Sequence, residues 1–288
     1  MLLRAAPLAF ALAFTAIQAK AADPQRIVSA GGDLTEIVYA LGHGDRLVGA
    51  DSTSTYPDEA RALPQVGYVR RLAAEGVISL APDLVLAADD AGPASTMELL
   101  AEAGVRILTA PETDTVDDVP EKVRFVGEAI GDAAGGAALA DQIAADVSNI
   151  REAVKALTSK PKVLFILSVR GGAPLVGGAG TSAHTMISEA GAVNVASALD
   201  GWKPMNSEAI IAAAPEIIVM TSAHSERLGG LDEVLARPDI SLTPAGKAMR
   251  GASLDAMMLL GMGPRVAKGI EELARAVHPP VKLKEAGL

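Results

Sequence analysis

Short apolar runs alternate with amphipathic stretches along most of the chain. Ile27-Val28-Ser29-Ala30 reads as a strand that runs through Gly31-Gly32-Asp33 into a helical stretch, LTEIVYAL, ended by Gly42. RLVGAD (46–51) reads as the next strand, AAEGVISL (73–80) as a helix stopped by Pro82, and DLVLAADD (83–90) as a strand. STMELLAEAG (95–104) is a helix ending at Gly104, and VRILTA (105–110) is a strand. Strands alternating with helices predict a parallel sheet covered on both faces.

The second half repeats this grammar. KVLFILS (162–168) is a strand, VRGGAPLVGGAGTSA (169–183) a glycine-rich loop, and HTMISEAG (184–191) a helix. SEAIIAAAPEIIVMTS (207–222) has the plan of AAEGVISLAPDLVLAA (73–88): an acid, an apolar helix, Ala-Pro, an acid and an apolar strand. A repeated unit predicts two lobes of like architecture. Between them, 117–157 is helical in period and rich in alanine, and from about Ala137 it reads as one long helix. The organisation predicted is a leader over 1–21, an N-terminal α/β lobe over 22–136, a connecting helix over 137–158 and a C-terminal α/β lobe over 159–288. A ligand is expected at the carboxyl ends of the strands, between the lobes.

The first residues, MLLRAAPLAFALAFTAIQAKAAD, change the picture of location. Arg4, an apolar run from Leu8 to Ile17 and Ala19-Lys20-Ala21 read as a secretory signal peptide, cleaved after Ala21 or Ala22. The run is too short and wrongly flanked for a membrane span. Losing Arg4 and Lys20 takes the net charge from -10 to -12. The chain has no cysteine, which excludes disulfides, thiolate metal sites and a lipidated cysteine anchor. A soluble, monomeric protein of the periplasm is expected. The acidic balance argues against nucleic acid as a partner.

No P-loop, GxGxxG, HExxH or GxSxG motif occurs, so catalysis has no positive support and a carrier is expected in place of an enzyme. The four histidines show no metal-ligand spacing. His43 reads as a turn residue, His184 as a first-turn residue of a helix capped by Thr or Ser, and His278 as a solvated tail residue. His224 follows a strand end and faces the crevice or a loop. The most informative stretch is Val66-Gly67-Tyr68-Val69-Arg70-Arg71-Leu72. One of only three tyrosines sits there, in a loop, beside two arginines. Nearby positive charge favours a phenolate, and a phenolate is a hard donor suited to ferric iron. On chemistry alone, an ordinary exposed Tyr beside Arg is the better explanation of the stretch.

The segment from Arg26 to Pro93, with GAGTSAHTMISEAGAVNV, GWKPMNSEAIIAAAPEIIVM and TPAGKAMRGASLDAMMLLGMGPR, resembles periplasmic haem-binding proteins of Gram-negative haem ABC importers. The similarity covers essentially the whole chain after the leader. Most of these motifs are shared with cobalamin- and siderophore-binding relatives, whereas VGYVRRL belongs to the haem branch. The resemblance implies a class III periplasmic binding protein: two lobes with mostly parallel sheets joined by a long backbone helix. It implies haem b as the transported ligand, Tyr68 as the axial ligand of the haem iron, and Arg70 as its hydrogen-bonding neighbour. It further implies Glu75 and Glu208, one per lobe, as docking acids for a permease dimer with its ATPase.

Some relatives hold two haems, the second bound by a histidine in the loop that here reads Ser168-Val169-Arg170-Gly171-Gly172. That loop has no histidine, so two-haem binding is not implied. His224 is the remaining candidate for a second ligand. Arg71, Arg170, Lys203 and Arg227, in that order, are candidate propionate partners. The alternatives are a ferric-siderophore or cobalamin carrier and, as another class, a secreted haem-degrading enzyme.

Overall fold

The computed structural model describes residues 23–170 and 172–278. The leader expected over 1–21 lies outside the described residues, as do Gly171 and the Arg170 side chain.

In the N-terminal lobe, β1 (Ile27–Ala30) leads into α1 (Gly32–Ala40) and β2 (Leu47–Ala50). Two short strands follow, β3 (Gly67–Tyr68) and β4 (Arg71–Leu72), then α2 (Ala74–Ser79), β5 (Leu84–Ala87), α3 (Ala94–Glu102) and β6 (Ile107–Thr109). The sheet order is β2-β1-β5-β6, all parallel. β1 and β5 are buried at every position. That is why they read as continuous apolar runs, as expected of parallel strands covered on both faces.

Two helices follow, α4 (Val119–Ala129) and the long α5 (Ala133–Lys155). The long helix starts four residues before the predicted Ala137. Asp132 caps it by accepting from the Gly135 amide at 2.9 Å, which lets the helix begin despite two poor helix formers, Gly135 and Gly136, in its first turn. His43, read as a plain turn residue, also holds this cap, with Nε2 3.0 Å from the Asp132 carboxylate.

The C-terminal lobe contains β7 (Lys162–Arg170), β8 (Ala173–Gly177), α6 (Ser182–Glu189), β9 (Val193–Asn194), β10 (Trp202–Pro204), α7 (Ser207–Ala213) and β11 (Ile217–Thr221). It continues with α8 (Ser222–Arg227), α9 (Leu231–Leu235), α10 (Pro244–Lys247), β12 (Gly251–Leu254), α11 (Ala256–Leu260) and α12 (Val266–Val277). Its sheet runs β10-β8-β7-β11-β12. β7, β11 and β12 are parallel, while β8 and β10 are antiparallel additions at one edge. The glycine-rich stretch expected to be loop therefore contains a strand. Its apolar core, Pro174-Leu175-Val176, pairs back on β7 in antiparallel register. Glycine at both ends hid the strand.

The fold is α/β with mostly parallel sheets, as expected. One large apolar cluster runs through α4, α5, α6, α11 and α12 and unites the two lobes. His278, read as a solvated residue, is instead buried. Its Nδ1 lies 2.7 Å from Ser159 Oγ and its Nε2 2.9 Å from the Ala190 carbonyl, fastening the end of α12 to the turn after α6.

Candidate functional site

VGYVRRL forms a β-hairpin rather than an open loop. Gly67 pairs with Leu72 and Tyr68 with Arg71, with Val69 and Arg70 as the turn. The apolar positions decide which way it faces. Val66, Val69 and Leu72 are buried, and Val66 and Leu72 join the cluster beneath the N-terminal sheet. Tyr68, Arg70 and Arg71 are left outward. Gly67 has φ +107°, and a Cβ there would lie 2.7 Å from the Arg71 carbonyl oxygen, so the bend needs glycine. Backbone bonds pin the hairpin on both sides: Leu72 N–H donates to Gly92 O at 2.8 Å, Gly92 N–H to Val69 O at 2.9 Å, and Ala73 N–H to Val66 O at 2.9 Å.

A residue missed in the sequence organises this corner. Asp51, just past β2, is fully buried. Its carboxylate accepts from the amides of Gly31 (3.1 Å), Thr53 (2.9 Å) and Val69 (3.1 Å), and from the hydroxyls of Thr53 (2.9 Å) and Ser54 (3.2 Å). One side chain thus ties the end of β1 to the tip of the hairpin. Burial pushes the Asp51 carboxyl up, and these hydrogen bonds oppose the rise. The run Asp51-Ser52-Thr53-Ser54, an acid followed by hydroxyls at a strand end, was the available signal.

The hairpin stands at one wall of a cleft of about 320 Å³ between the lobes. The N-terminal lobe contributes the carboxyl ends of its strands: Gly31 and Gly32 after β1, Ala88 to Asp90 after β5, and Glu112 after β6. The C-terminal lobe contributes Gly180 to Ser182 at the start of α6, with Trp202 on β10 and Met257, Leu260 and Met262 around α11. Thr181 is the N-cap of α6 and accepts from the His184 amide at 3.2 Å. This cleft lies where open parallel sheets bind their ligands.

Tyr68 lines the cleft and is 42% exposed. Among the described residues, no hydrogen bond is made to its hydroxyl. Arg70 lines the cleft too, but its guanidinium is held by Asp90, at 2.7 Å through Nε and 2.5 Å through Nη2. That pairing raises the Arg70 pKa; partial burial works against it, and the nearby Tyr68 and Asp89 add to it. Arg70 is therefore a fixed cation beside the phenol, positioned by a carboxylate.

The other candidates are dispersed. Arg71 is exposed on the hairpin beside Tyr68. Lys203 follows Trp202 on β10, so it projects from the opposite face of that strand and is exposed. His224 is half-buried and Arg227 exposed on α8. None of these four lines the cleft. Glu75 and Glu208 are both exposed in the first turns of α2 and α7, at matching positions of the repeated unit.

Charged ties below the cleft join the lobes. Arg265 grips Glu36 of α1 with two bonds, 2.8 Å and 2.5 Å, bonds Asp255 at 2.9 Å, and stacks 3.8 Å from the Tyr56 ring centre. Burial raises the Glu36 pKa, and Arg265 partly restores it. Arg151 of α5 bridges Asp117 (2.7 Å) and Glu189 of α6 (2.6 Å), and these bonds raise its pKa far above the ordinary range. The pair Lys122–Asp33 lies at the floor of the cleft, where Lys122 also donates to the Met262 carbonyl at 3.2 Å. Among the described residues there is no cluster of His, Cys, Asp and Glu able to hold a metal ion, and no helix long and apolar enough to cross a membrane.

The family model described as "Periplasmic binding protein" matches residues 27–256. Among solved structures, the apo periplasmic haem-binding protein RhuT of Roseiflexus sp. RS-1 is 38% identical. It superposes with a TM-score of 0.85 over 88% of this chain and 97% of that one. The haem-binding protein BhuT in complex with two haems is 42% identical, with a TM-score of 0.83 over 88% and 97%. An uncharacterised ABC transporter substrate-binding lipoprotein of Bacillus subtilis, YvrC, is 32% identical over 89% of this chain and 81% of its own length. A vitamin B12-binding protein of Photorhabdus laumondii is 28% identical over 71% and 74%.

Proposed function

The chain belongs to the periplasmic binding protein family, and from that premise we propose that it captures ferric haem in the interlobe cleft and delivers it to an inner-membrane ABC permease with its ATPase. The observation that carries the reading is Tyr68: a solvent-reachable phenol on a backbone-pinned hairpin, at the mouth of the cleft, with the Arg70 cation fixed beside it. A phenolate oxygen is an axial haem-iron ligand, and a neighbouring cation favours the phenolate. Trp202, Met257, Leu260 and Met262 supply an apolar wall for the porphyrin, whose burial stabilises the complex in proportion to area. The similarity to the haem-binding proteins RhuT and BhuT adds support. Haemin titration is expected to give a shifted Soret band with a high-spin ferric-tyrosinate spectrum. Tyr68→Ala is expected to abolish that spectrum and weaken binding at least about tenfold, the loss of roughly 1.4 kcal/mol. Identical spectra from both proteins would rule out Tyr68 as the ligand.

A second reading, cobalamin, rests on the vitamin B12-binding relative. Cyanocobalamin binding that is tight, competitive with haemin and indifferent to Tyr68→Ala would favour it. No covalent step on the ligand is part of either reading.

Glu75 and Glu208 are assigned to permease docking, since each is exposed in the first turn of the repeated helix, one per lobe. Glu75→Ala with Glu208→Ala should leave haemin affinity unchanged and impair delivery to the permease in proteoliposomes. Unimpaired delivery would remove the docking assignment.

A further inference from the structure

The candidate propionate partners Arg71, Lys203 and Arg227 do not line the cleft, which leaves open where an anionic group of the ligand is met. The charged groups that do line it are unevenly placed. Asp89, Asp90, Glu112 and Asp114 are exposed along the N-terminal rim, and Arg70 is already paired with Asp90. At the rim an incoming carboxylate therefore meets mostly like charge. The floor is different. Lys122 is only 5% exposed, yet it lines the cleft between two other lining residues, Asp33 and Met262. Its ammonium carries three N–H donors. One goes to Asp33 and one to the Met262 carbonyl, and the third has no protein acceptor among the described residues. A buried donor without an acceptor is costly, and an entering oxygen anion would satisfy it with a charge-assisted bond.

The geometry points to Lys122 as the ligand-facing donor at the cleft floor, donating to a carboxylate of the bound tetrapyrrole that the acidic rim turns inward. This assignment rests on the haem reading. Asp33 acts through Lys122: it holds the ammonium in place and compensates its charge, so the floor offers direction without excess positive charge. Met262 has φ +47°, a left-handed conformation disfavoured for a side chain with a Cβ. That turn aims the Met262 carbonyl at Lys122, so the C-terminal lobe helps to fix the donor on the N-terminal lobe.

The test compares haemin with haemin dimethyl ester, which keeps the iron and ring and removes both carboxylates. Lys122→Met with Asp33→Asn removes one charge of each sign, so the net charge of the cleft is constant and no lone buried ion remains. Haemin affinity is expected to fall about 10- to 100-fold, the range of one charge-assisted hydrogen bond. Ester affinity should change less than about twofold, with the tyrosinate spectrum retained for both. If the Met variant does not fold, Lys122→Gln with Asp33→Asn keeps amide donors at both sites and should show the same haemin-selective loss, of smaller size. Equal losses for haemin and ester, or no loss, would reduce the pair to a structural role and overturn the assignment while haem binding stands. A wild-type protein that binds neither porphyrin would overturn the haem reading itself, and this assignment with it.

Discussion

The two lobes solve one problem identically and another differently. Each contains a helix, an alanine in the left-handed region, a proline, an acid and a buried parallel strand. Ala81 (φ +45°), Pro82 and Asp83 precede β5; Ala214 (φ +48°), Pro215 and Glu216 precede β11. In both, the acid reaches to the start of the neighbouring strand. Asp83 accepts from the amides of Gln25 and Arg26, each at 2.9 Å, ahead of β1. Glu216 accepts from the Lys162 amide at 3.0 Å, at the start of β7. The repeat is therefore a strand-registering device at the amino ends of the strands, whereas the cleft lies at their carboxyl ends.

The cleft rims diverge. The N-terminal rim is assembled by a side chain: Asp51 gathers the end of β1 and the hairpin tip. The C-terminal rim is assembled mainly by backbone, with one hydroxyl contribution. Gly178 N–H donates to Gly201 O at 3.0 Å, Ala179 N–H to Leu199 O at 2.7 Å, and Thr181 Oγ donates to Gly178 O at 2.7 Å. A Cβ on Gly178 would lie 2.2 Å from the Leu199 carbonyl oxygen, so this rim depends on close backbone approach. The difference teaches where each lobe can vary. Both walls contain a glycine that a side chain would disrupt, Gly67 and Gly178, but the wall carrying Tyr68 depends in addition on a buried carboxylate and its donors.

The sharpest way to break the comparison is Asp51→Ala, which strands buried amide and hydroxyl donors. It should cost about 3 kcal/mol of unfolding free energy by denaturant titration. It should also weaken haemin binding through the displaced hairpin. Gly178→Ala should cost about 2 kcal/mol by steric conflict, leave the tyrosinate spectrum intact and lower affinity. If Gly178→Ala erased that spectrum and Asp51→Ala did not, the division of labour between the rims would be reversed. The smallest effect tests the shared device. Ala81→Gly and Ala214→Gly each relieve a left-handed alanine, worth roughly 1–2 kcal/mol, against roughly 0.5–1 kcal/mol of added backbone entropy. Both variants should gain about 0.5 kcal/mol with haemin affinity unchanged. A gain in one lobe and a loss in the other would show that the two units are not equivalent.

The legible parts of the molecule were those written in local pattern. Ile27–Ala30, Leu84–Ala87 and Ile217–Thr221 are continuous apolar runs because both faces of each strand are covered. The Ala-Pro stops were visible because proline cannot continue a helix. Tyr68 stood out by rarity and by its arginine neighbours. The hairpin that holds it did not, because four paired residues around a two-residue turn carry no periodicity. Strand β8 was lost for a similar reason, being five residues flanked by glycine. Lys203 and Arg227 were singled out by charge alone, and charge does not say which face of a strand or helix a residue occupies.

By itself the sequence determined the alternation of elements, the two-lobed plan, the repeated unit and the tyrosine worth testing. All of these rest on interactions between residues close in the chain or on side-chain chemistry. Only the tertiary structure decided which groups meet at the cleft. Lys122 finds Asp33 across 89 residues, and Arg265 finds Glu36 across 229. Burial decides these partners: a charge removed from water must be paired, and its mate is whichever segment the packed core brings alongside.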